Sequence, residues 1–150
     1  VREENLHITL AFLGEQSGRD AALICKGLEA AFKGVGGFGK IPLSTGKLAL
    51  FPRPAAASVL ALRIAAGHKA ARALAEKAAQ ALGRFLLHWN QEKRAFTPHI
   101  TLARRGRAPI RGPMDATIEA SGTVEQAGIF RSDLHPSGPV YTALALFPLL

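Results

Sequence analysis

Histidine and threonine stand two residues apart twice in this chain, in His7-Ile8-Thr9-Leu10 and in His99-Ile100-Thr101-Leu102. The match runs beyond the tetrad: HITLAFLG from His7 and HITLARRG from His99 agree at six of eight positions. A histidine side chain titrates near pH 6.5, so it can carry protons at neutral pH. A hydroxyl beside it can donate a hydrogen bond to an anionic oxygen. Two imidazoles and two hydroxyls converging on one cleft suit phosphoester chemistry. One neutral ring takes a proton from water or an alcohol, and one protonated ring gives a proton to the leaving oxygen. The hydroxyls hold the non-bridging oxygens, where charge concentrates. A single His-x-Thr is an ordinary pattern for a strand with one solvated face, and short motifs carry a high false-positive risk. Recurrence inside matching frames makes the pair a catalytic candidate, set against a duplication kept for packing alone.

The elements that must position these groups follow from the pattern. Alternation beginning at a β-branched residue predicts a strand for each tetrad, over residues 5–13 and 98–104. Ile8, Leu10, Ile100 and Leu102 then face a core, and His7, Thr9, His99 and Thr101 face the other way. Ser17 caps a predicted helix running to about Val35, with Asp20 in its first turn and Ile24, Leu28, Ala31 and Phe32 on one stripe. Residues 41–51 and 57–66 read as a hairpin turned by Pro52-Arg53-Pro54. Ser44-Thr45-Gly46-Lys47 lacks the upstream glycine of a phosphate loop and reads as a strand irregularity. An alanine-rich helix spans about 68–83 and ends at Gly83. Residues 85–98 are irregular, with Trp89 and Phe96 as packing aromatics that could also stack on a base. Thr123–Phe130 is one strand, Ser132–Pro139 a turn, and Val140–Phe147 the closing strand. The expected fold is α+β: one domain over residues 1–150, built as two pseudo-symmetric lobes. Each lobe is an antiparallel sheet backed by a helix, with the two motifs in the central cleft.

The 150 residues are enough for one domain with a sizeable core. With 48% hydrophobic and 20% charged residues the composition is that of a globular protein, and no apolar run is long enough to span a bilayer. The start, VREENLHI, has no apolar signal segment, so a cytoplasmic location is expected; a monomer is expected as well. Cys25 is the single cysteine and reads as a buried filler. His68, His88 and His135 show no ligand spacing, so neither a metal nor another cofactor is expected. The net charge of +8 points to a polyanionic partner, with Lys93, Arg94, Arg104, Arg105, Arg107 and Arg111 crowding the second motif. Oligonucleotide binding should therefore weaken steeply with salt.

These residues resemble the 2H phosphoesterase superfamily, and within it the RNA 2′,3′-cyclic phosphodiesterases, also called 2′-5′ RNA ligases. The resemblance is carried by Asn5–Gly14, Phe51–Pro54, Phe96–Arg104 and Gly138–Tyr141. It extends over nearly the whole chain. Such proteins usually have a further strand and helix before the first motif, whereas Val1 here stands six residues ahead of His7. The resemblance implies metal-independent hydrolysis of an RNA 2′,3′-cyclic phosphate end to a 2′-phosphate. It casts His7 and His99 as acid and base, with a preference for His7 as the acid, and Thr9 and Thr101 as phosphate holders. It also implies that Arg104 and Phe12, each five residues after a motif histidine, bind the phosphate and the nucleotide. An odd offset on a regular strand puts Arg104 on the face opposite His99; a bulge, a strand end or the length of the side chain would reconcile them. Tyr141 is a further candidate to reach the cleft. Reversible 2′-5′ ligation, hydrolysis of a small cyclic nucleotide, and non-catalytic RNA binding are the alternatives.

Overall fold

The computed structural model describes residues 1–33, 38–52, 57–85, 95–105, 110, 115–136 and 138–150. A 3-10 turn at Glu3–Asn5 is followed by α1 (Gly18–Lys33), β1 (Ile41–Phe51), β2 (Val59–Ala66) and α2 (His68–Phe85). Then come β3 (His99–Arg104), β4 (Ser121–Val124), β5 (Gln126–His135) and β6 (Gly138–Pro148). The strands form two antiparallel sheets, one in the order β3-β2-β1-β4 and the other the β5-β6 pair. The α+β expectation holds, with halves of four and two strands among the described residues.

Ser17 starts α1 as its spacing predicts. Its Oγ accepts the Asp20 amide at 3.1 Å and donates to Asp20 Oδ2 at 2.7 Å. Ile24, Leu28 and Phe32 form the buried stripe of α1. On α2 the buried stripe is Ala71, Leu74, Ala75, Ala78, Ala81 and Leu82. The small alanines allow the two helices to approach, and a Cβ on Gly27 would overlap the Phe85 ring of α2. Both helices join Ile41, Ile129, Phe147 and Leu149 in one core. α2 lies against β1 and β2, and α1 against β6, so each sheet has its helix. At the turn between β2 and α2, Gly67 takes φ +79°, and a side chain there would strike the Pro42 carbonyl. No helix among the described residues is long and apolar enough to cross a membrane.

Several predicted boundaries move. α1 is described to Lys33, because residues 34–37 lie outside the described set. α2 runs past Gly83 to Phe85. A helical glycine costs about 1 kcal/mol, and the packing of Phe85 over Gly27 offsets it. The single strand expected over Thr123–Phe130 is two strands in different sheets, broken at Glu125. There the Leu149 amide donates to the Glu125 carbonyl (2.8 Å), and Lys40 Nζ meets the Glu125 carboxylate (2.9 Å). Residues 132–135 belong to β5 rather than to a turn, because the β5-β6 ladder continues to His135 opposite Gly138. The Ser44–Lys47 irregularity is present as register shifts in the β1-β2 ladder. Arg53, Pro54 and Trp89 lie outside the described residues; Phe96 is half-buried.

The largest departure is the first motif. Residues 5–13 do not form a strand; the segment touches the sheet by one isolated bridge. The preceding 3-10 turn takes up the Asn5 and Leu6 amides, which donate to the Arg2 and Glu3 carbonyls at 3.0 Å. Amides that a longer ladder would use are thus already satisfied.

Candidate active site

That single bridge is antiparallel and joins Ile8 to Ile100, the same position in the two tetrads. Continued one step either way, that antiparallel register would set His7 toward Thr101 and Thr9 toward His99. On β3, alternation puts His99 and Thr101 on the side opposite Ile100.

Each imidazole is held by the same local device. His7 Nδ1 lies 2.7 Å from the Asn5 carbonyl oxygen, and His99 Nδ1 lies 2.8 Å from that of Thr97. A carbonyl only accepts, so Nδ1 carries the hydrogen and Nε2 is left for chemistry in both rings. Thr9 Oγ1 lies 3.0 Å from His7 Nε2. An aromatic ring abuts each imidazole: Tyr141 of β6 meets His7 edge-on at 5.1 Å, and Phe51 of β1 lies 4.8 Å from His99. Asn5 Nδ2 donates to the Pro139 carbonyl at 3.2 Å, which ties the first motif to β6. His7 is exposed, while His99, Thr9 and Thr101 are half-buried.

Arg104 comes to the same face as His99. On β2, Arg63 pairs with His99, Ala61 with Thr101, Leu60 with Ala103 and Val59 with Arg104. β3 carries one extra residue, Leu102, between the second and third of these pairs. A bulge of this kind resets the alternation. Arg63, Ala61 and Val59 share one side of β2, so their partners His99, Thr101 and Arg104 share it too. Phe12 is 71% exposed, while its neighbours Ala11 and Leu13 pack against the core. It lies four residues beyond the bridged Ile8, outside the register that the bridge fixes.

Of the basic cluster, Arg104 and Arg105 are exposed, and Lys93, Arg94, Arg107 and Arg111 lie outside the described residues. Sequence reasoning named Tyr141 without placing it, quoted Phe51 only within a motif, and missed Arg63. Arg63 is the one charged residue inside the apolar run Val59–Ile64, and that break was the available signal.

The sequence model of the 2′-5′ RNA ligase superfamily matches residues 1–135. An RNA 2′,3′-cyclic phosphodiesterase of Thermus thermophilus is 34% identical over 158 residues, covering 99% of this chain and 74% of that protein. One from Aeropyrum pernix is 30% identical over 151 residues, covering 96% and 82%. The crystal structure of E. coli LigT complexed with 3′-AMP superposes with a TM-score of 0.77 at 25% identity, over 99% of this chain and 79% of that one. Motif, fold and relatives agree, and the chain belongs to the 2′-5′ RNA ligase superfamily.

Proposed function

We propose that the protein is an RNA 2′,3′-cyclic phosphodiesterase. The observation that carries this reading is the Ile8–Ile100 bridge, which brings the two His-x-Thr tetrads side by side. The named relatives support the substrate.

One neutral imidazole, through Nε2, takes a proton from water as its oxygen bonds to phosphorus. The other, protonated at Nε2, gives its proton to the 3′ oxygen as the phosphorus–O3′ bond breaks. The products are a 2′-phosphate and a 3′-hydroxyl, and the proton gained by one ring balances the one lost by the other. His7 is assigned as acid and His99 as base, by the family resemblance. Thr9, Thr101 and Arg104 hold the non-bridging oxygens, with Arg104 supplying the stronger, charge-assisted bond. Phe12 remains a nucleotide contact on resemblance alone. The five-membered ring is strained, so the two imidazoles can open it without a metal. The same groups run ligation to a 5′-hydroxyl in reverse. The reading includes a monomer acting on cytoplasmic RNA, in keeping with its single cysteine.

Incubation with a mononucleoside 2′,3′-cyclic phosphate in chelator tests the proposal. Formation of the 2′-phosphate supports it; tight binding without turnover would make the chain a binding module instead.

A further inference from the structure

Arg63 is the direct cross-strand partner of His99. Partners of this kind have Cβ atoms about 4.5–5.5 Å apart on the same face. Arg63 therefore borders the imidazole patch, and it is exposed. Its guanidinium carbon lies 5.8 Å from the centre of the Phe51 ring, the ring that abuts His99. That contact steadies a long side chain beside the site. Among the described residues the ion pairs are Arg2–Glu4, Lys40–Glu125 and Arg131–Asp133, so no described carboxylate neutralises Arg63.

An exposed cation with no described acidic partner can take a bound anion, and the register says where it stands relative to the motif. His99 and Arg63 form one cross-strand row, and Thr101 and Ala61 the next. The cyclic phosphate sits between the imidazoles. Arg63 lies beyond His99, one strand spacing further out, at about 4.8 Å plus the reach of its side chain. Arg104 stands past Thr101, at the other end of β3. Arg63 thus stands one strand away from the motif strand, while Arg104 lies at the far end of β3.

We propose that Arg63 forms a second anion subsite, which holds the internucleotide phosphate on the 5′ side of the terminal nucleoside. The subsite makes the enzyme favour an oligonucleotide over a mononucleotide. It rests on the phosphodiesterase reading above.

The test compares wild type, Arg63→Gln and Arg63→Lys on a mononucleoside 2′,3′-cyclic phosphate and on a trinucleotide ending in that same cyclic nucleoside. Arg63→Gln should raise KM for the trinucleotide about tenfold and change kcat less than about twofold. The mononucleotide constants should stay put, and Arg63→Lys should recover most of the loss. The salt dependence of trinucleotide binding should flatten in Arg63→Gln by a slope of roughly 0.7, one phosphate contact on a single strand. Equal losses on both substrates, or a shifted pH profile on the mononucleotide, would mean that Arg63 acts on His99 and would overturn the subsite. So would no change on either substrate. Equilibrium binding of the matching 3′-phosphate mono- and trinucleotides reads the subsite without turnover. A protein that binds the trinucleotide through Arg63 but hydrolyses nothing would sink the activity and keep the subsite.

Discussion

Arg104 is the cross-strand partner of Val59, although Thr101 is the partner of Ala61. Three residues of β3 are thus spanned by two of β2, and the surplus residue turns the arginine to the side of the imidazoles. A side chain delivered by a bulge should matter for binding the anion more than for the fold.

Arg104→Gln should therefore lose about ten- to a hundredfold in kcat/KM on a cyclic nucleotide, as expected for one hydrogen bond to a charged group. Its melting temperature should stay close to wild type, since the side chain is exposed. Steady-state kinetics with a thermal melt checks both. An unchanged kcat/KM would remove Arg104 from the site.

The two histidines should be far more costly to lose. His7→Ala or His99→Ala removes an acid or a base, worth about a hundred- to ten-thousandfold in rate. Thr9→Ala and Thr101→Ala each remove one neutral hydrogen bond and should cost about tenfold or less. Near-full turnover by either histidine variant, with folding verified by circular dichroism, would refute the catalytic assignment.

Much of this site was legible in the sequence because it is a local pattern. Alternation set His99 and Thr101 apart from Ile100, and β3 is a strand over that stretch. The Ser17 cap and the hairpin at 41–66 were legible for the same reason, since each is decided within a few residues. What depended on partners was not. The first motif has strand-like alternation but one ladder contact, because the 3-10 turn has taken the neighbouring amides. The surplus Leu102 in β3 leaves no mark in composition, and neither does the change of sheet at Glu125. Arg63 could be seen as a charge in an apolar run, but its meaning came only with its register against His99.

Cys25 should be unreactive and dispensable. Burial pushes its thiol above the usual range, and the Glu29 carboxylate adds to the effect. Less thiolate is then present at a given pH, so alkylation by iodoacetamide at pH 8 should be slower in the native protein than in urea. Because the folded thiol keeps its proton to higher pH than the unfolded one, stability should fall as pH rises above the unfolded thiol's value. Cys25→Ala should keep full turnover. Rapid native labelling accompanied by loss of activity would contradict this account.

Turnover should depend on pH as a bell. The base must be neutral and the acid protonated at the same moment, so the rate declines on both sides of a maximum. Both rings present Nε2 while Nδ1 is fixed on a carbonyl, so each limb reports a proton at Nε2. The limbs belong to the pair, since the rings share one substrate anion. With His7 as acid, residual activity in His7→Ala should lose its decline at high pH and keep the one at low pH; His99→Ala should do the reverse. The opposite pattern would exchange the two roles. A profile with both limbs intact in either variant would show that the titrating groups lie elsewhere. Measuring kcat/KM from pH 5 to 9 on the mononucleotide, where the internucleotide phosphate plays no part, decides among these outcomes.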